Sequence, residues 1–523
     1  MALRYFVVLA LLFGSFFVCI VPPFQVADEF NHFYRAWQVS DGILLGVRTA
    51  DNRLGGDLPV SVAKITQVFR SLPFQPNNRI KSNIIFHNLS VPLEADKQIF
   101  VDFSNTAIYA PMAYAPQVVA ISIGKFLKMP PLSIFYFARF LTLLFWLSMV
   151  YAALRLMPIK RTLFSALALL PSSLFINASA SGDVLTNACS FFVIALFVKM
   201  ITEKKRLPQN ILLTRLGLIF FISGIISLNK LAYFPLVFLI FLIDKHHFNG
   251  LKNKLIVAFV LIFSNLAIIA FWAKTTSPQY IKFEDYDPVF RVGQQLNEGV
   301  DPFLQLAFIA RHPLVFTKIA AYSLLKSLPH TVIHYVGKFG WEKNYLPIPI
   351  IVLLLLMLFI QATIKEKHAR FAREKERIGG SSFGQSPKNE PTLLSFSRAK
   401  RAIDLSNYET SANLYENVEI LTEPTSLSIK AKFGFLGVFI LMTFSFAAAM
   451  YALWCPVGSN FIDNLGGKYF IPIYPLLLLA LPTFEKSKSR VLRFLAQQNV
   501  LFAVLCVSLL WSVCQVVWRY YDF

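Results

Sequence analysis

The feature that most constrains this chain is a series of apolar runs, each close to the length needed to cross a lipid bilayer. A spanning helix needs about 20 mostly apolar residues. Because an irregular backbone cannot face lipid, such runs predict helices. The runs lie near 3–21, 132–154, 162–179, 183–202, 210–227, 231–243, 255–273, 346–364, 433–454, 468–483 and 497–518. The predicted fold class is therefore an all-α transmembrane helix bundle with about eleven spans.

Composition excludes an ordinary soluble enzyme. The 523 residues are 56% hydrophobic and 15% charged, with a mean hydropathy of +0.55, which is far from the balance of a soluble domain. Four of the five cysteines lie inside apolar runs, and no Cys/His spacing suits structural zinc. The net charge of +21 lies mostly beside the spans, so we interpret it as a topology signal and expect no nucleic-acid partner.

Lysines and arginines in short loops predict the orientation, because basic residues near span ends stay in the cytoplasm. With Arg4 inside, sixteen such residues fall inside and three, Lys230, Lys468 and Arg519, fall outside. The first run is followed by Val21-Pro22-Pro23 where a signal-peptide cleavage site would need small residues, so we expect an anchored helix. The N-terminus is predicted to be cytoplasmic.

The apolar stretch 109–128 would reverse every later span if it crossed the membrane. Its prolines, Pro111 and Pro116, and its flanking lysines suit a segment that lies in the interface. The predicted organisation is a transmembrane module at 1–364 with large external loops at 22–131 and 274–345, a cytoplasmic linker at 365–431, and C-terminal spans at 432–523.

Two further segments have a readable pattern. Residues 302–327 combine apolar and interleaved polar residues with a break at Pro313, which predicts an amphipathic helix pair on the outer surface that roofs a cavity. Residues 365–431 begin with a basic stretch and continue rich in Ser, Asn, Glu and Thr. They predict a short basic helix and a partly disordered linker without chemistry.

The strongest candidate site follows the first span directly. Asp28 and Glu29 are adjacent carboxylates at a membrane surface, which suits either a general base or a ligand of a divalent cation such as Mg²⁺ or Mn²⁺. If a helix follows, Asp28, His32 and Arg35 share one face and converge on a polar substrate. The alternative is helix capping by Asp28, with Glu29 in the first turn.

A second acid, Asp183, ends the external turn 177–183 and begins the next span. Alone it is a good helix cap. It lies, however, on the same predicted membrane face as Asp28, and ionisable groups at helix ends that face a polar cavity are often functional.

Lys230 and Lys468 break the positive-inside pattern, so they are candidates to hold a phosphate as point charges. Snorkelling of a helix-end lysine is the alternative. Lys338 and Trp341 offer a cation and a stacking surface, unless they belong to the interfacial aromatic belt. The sequence contains no phosphate-binding loop, HExxH, GxSxG or dinucleotide fingerprint, so the usual residues for ATP hydrolysis, zinc proteolysis and serine esterase chemistry are missing.

Three blocks together resemble a known family, DUF2142, a group of bacterial polytopic membrane proteins placed in the GT-C glycosyltransferase superfamily. The resemblance spans nearly the whole chain. The blocks are 22–42, with Pro22-Pro23, Asp28-Glu29, His32, Tyr34-Arg35-Ala36 and Ser40-Asp41-Gly42; Pro171 with Ser181-Gly182-Asp183; and Gly466-Gly467-Lys468-Tyr469 continuing to Pro475.

The resemblance implies an active site on the lumenal or periplasmic side that takes a sugar from a polyprenyl-phosphate carrier and passes it to an acceptor hydroxyl or amide, usually with inversion. An acid of the first external loop then serves as base or metal ligand, which maps onto Asp28 or Glu29, and a second acid maps onto Asp183. The family motif Gly-Arg-Tyr is replaced here by Gly467-Lys468-Tyr469. Lysine keeps the charge but loses the bidentate fork that suits a phosphate.

We therefore predict a GT-C-type glycosyltransferase of the bacterial inner membrane. Its predicted partners are a polyprenyl-phosphate-linked sugar as the donor, a glycan or lipid as the acceptor, and the surrounding membrane lipids. The alternatives are a transporter or flippase for a lipid-linked glycan and a scaffold without activity. A transporter more often carries ionisable residues deep in its helices, whereas here nearly all lie at helix ends.

The predicted catalytic acids are Asp28, Glu29 and Asp183, with Asp28 and Glu29 as the metal-ligand candidates. The predicted substrate contacts are His32, Arg35, Lys230, Lys338, Trp341, Lys468 and Tyr469.

Overall fold

A computed structural model of the chain describes residues 1–281, 285, 299–341, 344–365, 426–484 and 489–522. The predicted all-α bundle is confirmed, because helices dominate these residues. Met1–Ile364 and Leu427–Phe523 form one compact unit, so the C-terminal spans pack with the rest of the bundle. The linker predicted at 365–431 lies almost wholly outside the described residues.

The α-helices of the described residues are numbered here in chain order. They are α1 Ala2–Ile20, α2 Glu29–Ser40, α3 Val60–Val68, α4 Ser82–Asn88, α5 Ser104–Ala107, α6 Ala115–Phe126, α7 Pro131–Leu156, α8 Arg161–Ala168, α9 Pro171–Asn177, α10 Asp183–Thr202, α11 Gln209–Asn229, α12 Leu251–Thr276, α13 Pro302–Arg311, α14 Pro313–Gly337, α15 Ile348–Thr363, α16 Ile429–Trp454, α17 Tyr474–Ala480, α18 Arg490–Leu495 and α19 Gln498–Tyr520. Shorter 3₁₀ helices occur at Pro111–Tyr114, Leu231–Leu242, Lys245–Phe248, Ser277–Gln279 and Gly467–Phe470.

Seven helices among the described residues are long and apolar enough to cross a membrane, which makes the chain a multi-pass membrane protein. They are α1, α7, α10, α11, α12, α16 and α19. Two shorter apolar helices, Leu231–Leu242 and α15, occupy predicted spans as well. The number of crossings stays a prediction.

The sequence prediction of continuous helices at 162–179, 231–243 and 468–483 is wrong in detail, and proline is the reason. The first run is split into α8 and α9 because Leu170, before Pro171, adopts an extended conformation. The second run contains Pro235 and forms a 3₁₀ helix. The third begins with the 3₁₀ helix Gly467–Phe470, and α17 starts only at Tyr474, with Pro475 in its first turn.

Two side-chain contacts identify the two ends of the bundle. Lys230, after α11, bonds Asp183 at the start of α10; we call this the site end. At the opposite end, the Nζ of Lys160 donates to the carbonyl of Gln361, 2.9 Å away. We call this the basic end, because the described residues of the basic clusters that predicted the cytoplasmic side adjoin the helix ends there. The direction of the bundle in the membrane stays a prediction.

The region between α1 and α7 contains a small sheet that the sequence analysis did not predict. Val47–Arg48, Leu54–Pro59 and Gln98–Asp102 form three antiparallel strands in chain order. Gly55 is required in the central strand, because a Cβ there would lie 1.8 Å from the Val101 carbonyl oxygen. The amide of Gln38 donates to the Gly55 carbonyl over 2.8 Å, which ties α2 to the sheet.

The stretch 109–128 forms the 3₁₀ turn Pro111–Tyr114 and the helix α6, which packs against α7 and α2. Twelve residues of α-helix extend only about 18 Å, well short of the roughly 30 Å hydrocarbon core. Its apolar side chains Val119, Ile123 and Phe126 are exposed. These features fit the predicted segment that lies at the interface.

The helix pair predicted around Pro313 is present as α13 and α14. Asp301 caps α13 by accepting hydrogen bonds from the backbone N–H groups of Phe303 and Leu304, and Pro313 starts α14. Helix α14 runs on to Gly337, beyond the predicted end. Its last turns line the cavity described below.

The orientation predicts which residues a membrane-impermeant maleimide reaches. In a cysteine-free background, Asp96→Cys should be labelled from outside intact cells and Gln209→Cys only after permeabilisation. Both positions are exposed, whereas Ser61, in the same region as Asp96, is buried and unsuitable. Labelling of position 209 with protection of position 96 would reverse the assignment of the two ends.

Candidate functional site

A cavity of about 840 Å³ lies at the site end of the bundle. It is bounded by the loop after α1, the turn before α10, the end of α14 and the segment 461–469. Its volume falls in the range of small-molecule sites, about 300 to 1,000 Å³. Six of the predicted site residues line it: Asp28, Asp183, Lys338, Trp341, Lys468 and Tyr469.

Four of the predicted residues form a chain of alternating charges, although they are far apart in sequence. The Nζ of Lys468 lies 3.4 Å from an Oδ of Asp28 and 3.9 Å from an Oδ of Asp183. The other Oδ of Asp183 accepts a hydrogen bond from Lys230. Partial burial strengthens these pairs relative to exposed ones, so the carboxylates and the ammonium groups hold one another in place. We call these four residues the charge cluster.

The structure disfavours the capping alternative for both acids. Asp28 precedes α2, but its side chain makes no capping hydrogen bond, and its backbone is left-handed with φ 64°. The cap position of α10 is Gly182, and Asp183 follows it without a capping bond from its side chain. A left-handed backbone at a non-glycine residue is uncommon and tends to occur at functional positions. Each acid is thus placed for contacts in the cavity.

The two acids differ in their surroundings. The Asp28 side chain is 31% exposed and has one lysine neighbour, whereas the Asp183 side chain is 13% exposed and pairs with two. Asp28 is therefore the carboxylate that a substrate in the cavity reaches more easily. Asp183 is placed to hold Lys230 and Lys468.

Tyr469 contacts both ammonium groups of the cluster. The Nζ atoms of Lys230 and Lys468 lie 5.0 and 5.1 Å from the centre of its ring, within the range of cation–π contacts. The Tyr233 hydroxyl donates to the Tyr469 carbonyl over 2.9 Å. Lys230 itself is not among the cavity-lining residues and acts on the cavity through Asp183.

His32 lies behind the cluster rather than in the cavity lining. Its Nδ1 is 2.9 Å from the hydroxyl of Tyr114, and the side chain is buried. Burial lowers the pKa of His32 to about 4, even though Asp183 and Asp28 favour its charged form. The imidazole is therefore neutral at pH 7.

Arg35 also lies outside the cavity lining. One terminal nitrogen donates to the carbonyls of Leu44, at 2.6 Å, and Tyr109, at 3.1 Å, and burial lowers its pKa to about 10. The prediction that Asp28, His32 and Arg35 converge on one polar substrate is not reproduced, because His32 and Arg35 do not line the cavity. The carbonyl of Asp28 accepts from the His32 N–H over 3.0 Å, but the left-handed backbone of Asp28 departs from the helical spacing.

Glu29 points away from the cavity into a buried ion pair. Both of its oxygens accept hydrogen bonds from Arg139 of α7, at 2.8 and 2.6 Å. One of them also accepts from the backbone N–H of Ala180 at 2.9 Å. The remaining donors of Arg139 bond the carbonyls of Val18, Val21 and Pro22. Arg139 was not predicted as a functional residue, although an arginine inside an apolar run is itself a signal.

The residues at the site do not fit a divalent cation. Mg²⁺ and Mn²⁺ prefer several oxygen ligands, but the described residues contain no cluster of three His, Cys, Asp or Glu side chains. Asp28 and Asp183 each face an ammonium group, and Glu29 is occupied by Arg139. We therefore derive no step through a metal, and the predicted cation stays a prediction.

The far side of the cavity contains residues that the sequence analysis partly missed. Lys338 and Trp341 were predicted, but His330, His334 and Tyr345 were not. The signal was available, because His330 and His334 are four residues apart and share one face of α14. Burial and nearby Lys468 lower the pKa of Lys338 to about 8.

Gly467 positions Lys468, and it has a matched control beside it. A Cβ on Gly467 would lie 2.3 Å from the backbone N of Tyr335 and 2.4 Å from the Thr331 carbonyl, whereas one on Gly466 would meet nothing closer than 3.8 Å. Gly467→Ala should therefore destabilise the protein by about 1–3 kcal/mol and reduce activity. Gly466→Ala should stay within about 0.5 kcal/mol. Equal unfolding midpoints in detergent would contradict this packing.

Comparison with known proteins identifies the family of this chain through a family profile. The chain matches none of the curated proteins and none of the solved structures with which it was compared. The profile of the family described as "Predicted membrane protein (DUF2142)" matches residues 11–378, more than half of the chain. The matched part includes Asp28, Asp183, Lys230 and Lys338, whereas Lys468 lies beyond it. The chain belongs to the DUF2142 family of predicted membrane proteins.

Proposed function

We propose that this protein is a membrane-embedded glycosyltransferase that takes a sugar from a polyprenyl-phosphate carrier and transfers it to a glycan or related acceptor of the cell envelope. The reaction takes place on the outer face of the bacterial inner membrane. This orientation rests on the concentration of short-loop lysines and arginines at the basic end, opposite the cavity.

The observation that carries the proposal is the charge cluster at the end of an apolar bundle. A polyprenyl-linked donor combines an anionic phosphate with a hydrocarbon tail, so its phosphate must bind at the bilayer surface while its tail stays in lipid. Lys468 lines the cavity and contacts both acids. The cluster thus places a cation for the phosphate next to a carboxylate for the acceptor.

The transfer is a substitution at the anomeric carbon of the donor sugar. An acceptor hydroxyl oxygen forms the new bond to that carbon, and the bond from the carbon to the phosphate oxygen breaks. Its electron pair leaves with the polyprenyl phosphate. Asp28 accepts the proton of the acceptor hydroxyl as general base, which suits the more exposed of the two acids.

Lys468 stabilises the charge that develops on the leaving phosphate. A preorganised cation in a site with little water is worth more than the same contact in bulk water. Asp183 and Lys230 hold Lys468 near this position, while Tyr469 provides a ring for both ammonium groups.

Binding of polyprenyl phosphate to the purified protein in nanodiscs tests the proposal. Native mass spectrometry should show at least a tenfold preference for polyprenyl phosphate over the uncharged polyprenol, because only the phosphate pairs with Lys468. Lys468→Met should remove most of this preference. Lys318→Met is the matched control, since this lysine of α14 is exposed and does not line the cavity. Equal binding of phosphate and polyprenol to the wild-type protein would overturn the proposed donor class.

The affinity for polyprenyl phosphate should also fall as the pH rises from 7 to 9. Lys338, with a pKa of about 8, carries a charge below that pH and loses it above. The charged groups near it are known: Lys468 lowers the pKa of Lys338, and Lys338 in turn lowers the pKa of His330 and His334. The phosphate itself titrates near pH 6, so its charge is almost constant over this interval.

Lys338→Arg provides the control, because a guanidinium stays charged across the whole interval. The decline should be much smaller in this variant. An unchanged decline in Lys338→Arg would assign the pH dependence to another group.

A further inference from the structure

The cavity has a second wall that differs chemically from the charge cluster. Phe74, His330, His334, Trp341 and Tyr345 line it, and we call them the aromatic wall. Burial lowers the pKa of both histidines, for His334 to about 3, and raises that of Tyr345. All five side chains are therefore uncharged at neutral pH, although four of them carry an N–H or O–H group.

Backbone geometry fixes the position of Trp341. Gly340 before it has φ +75°, and a Cβ there would lie 2.1 Å from the hydroxyl of Tyr520. The indole stacks on Phe30, with ring centres 5.9 Å apart and planes 16° from parallel, and it also contacts Phe74 at 5.0 Å. Phe30 is two residues after Asp28, so the indole is anchored close to the proposed base.

The imidazoles and the phenol form a row of neighbouring rings. The ring centres of His330 and His334 are 3.6 Å apart, and those of His334 and Tyr345 are 5.4 Å apart. The Nε2 of His334 lies 3.1 Å from the Tyr345 hydroxyl. The row thus presents polar ring edges beside the indole of Trp341.

This chemistry selects one class of ligand. A phosphate would pair with the ammonium groups of Lys338 and Lys468, which also line the cavity, rather than with these uncharged rings. A hydrocarbon chain would cover the polar edges of the rings without offering them hydrogen bonds, which is costly. A pyranose has a C–H face that packs on an aromatic ring and hydroxyl groups that bond neutral donors and acceptors. The cavity volume of about 840 Å³ is large enough for a second small ligand beside a donor head group.

We propose that the aromatic wall binds the acceptor, and that the acceptor is a neutral pyranose residue of a glycan, stacked on Trp341 with a hydroxyl directed to Asp28. This inference rests on the proposed function and names its second substrate. It excludes a lipid or a peptide as the group that occupies this wall.

Saturation-transfer NMR with a panel of methyl pyranosides tests the inference on the protein in nanodiscs. The wild-type protein should transfer saturation to the ring C–H protons of at least one pyranoside. Trp341→Ala and His334→Ala should weaken that binding about three- to tenfold, the range expected for loss of one aromatic contact. Trp341→Phe retains a ring and should bind nearly normally. The control is Trp511→Ala, because Trp511 is an exposed side chain of α19.

Polyprenyl phosphate binding, measured on the same variants, separates this inference from the proposed function. Trp341→Ala should bind the phosphate as the wild type does, and Lys468→Met should still bind the pyranoside. If no pyranoside binds, or if Trp341→Ala binds it unchanged, the inference is overturned while the donor site stands. Pyranoside binding that depends on Trp341, without any preference for the phosphate, would support the wall and overturn the proposed donor.

Discussion

Asp28→Asn is expected to reduce sugar transfer by about 10² to 10⁴-fold, the usual contribution of a general base. Asparagine has nearly the same shape and tolerates the left-handed backbone of this position. The variant should therefore insert and accumulate at near wild-type level. It should nevertheless fail to restore the missing glycan in a strain from which the gene has been deleted.

Asp51→Asn is the matched control, since Asp51 is an exposed aspartate that forms a surface ion pair with Arg53. It should restore the glycan fully. If Asp28→Asn also restores the glycan fully, Asp28 is not the general base. That result would favour Asp183 as the base, or the transporter and scaffold alternatives. Because Glu29 was predicted as a catalytic acid, Glu29→Gln should be defective too, and the structure attributes such a defect to the ion pair with Arg139 rather than to the chemistry.

Arg139→Met is expected to destabilise the protein by about 3–5 kcal/mol, the typical cost of leaving one member of a buried ion pair without its partner. Both Glu29 and Arg139 are fully buried. Glu29 also accepts from the N–H of Ala180, in the turn that leads to Asp183. The ion pair thus connects the loop that contains Asp28 to the turn before Asp183, so its loss should disturb the positions of both acids.

Titration with SDS in mixed micelles measures the free energy of unfolding for this comparison. Arg53→Met, which removes an exposed ion pair, should cost no more than about 1 kcal/mol. The double variant Glu29→Gln with Arg139→Met should recover part of the lost stability, because no buried charge is then left unpaired. The predicted role of the pair would be refuted by an Arg139→Met protein as stable as the wild type.

The sequence was sufficient to predict an all-α bundle of apolar helices, and to predict that the four residues of the charge cluster lie at one end of it. Asp28, Asp183, Lys230 and Lys468 each adjoin the end of an apolar run, and the alternation of spans puts all four ends at one face of the bundle. Side-chain distances could not follow from the same pattern. Only the structure shows that Lys468 lies between both acids.

Other features depend on contacts between distant segments that a single sequence does not display. Glu29 was predicted to be a second acid of the site. In the structure both of its oxygens accept hydrogen bonds from Arg139, which lies 110 positions later in the chain. His32 and Arg35 were predicted to face the substrate with Asp28, but the left-handed backbone of Asp28 and the burial of the other two side chains could not be read from the spacing. The strands at 47–48, 54–59 and 98–102 are short, and the sheet forms through long-range pairing.

The most direct measurement of the proposed transfer is the fate of the donor. Mass spectrometry of membrane lipids should show that a polyprenyl-phosphate-linked sugar accumulates in the deletion strain and in the strain carrying Asp28→Asn. Wild-type protein should return it to its normal level while free polyprenyl phosphate is released. If the lipid-linked sugar stays at the same level in all three strains, or if Asp28→Asn lowers it as well as the wild type does, this protein does not transfer the sugar by the chemistry proposed for Asp28.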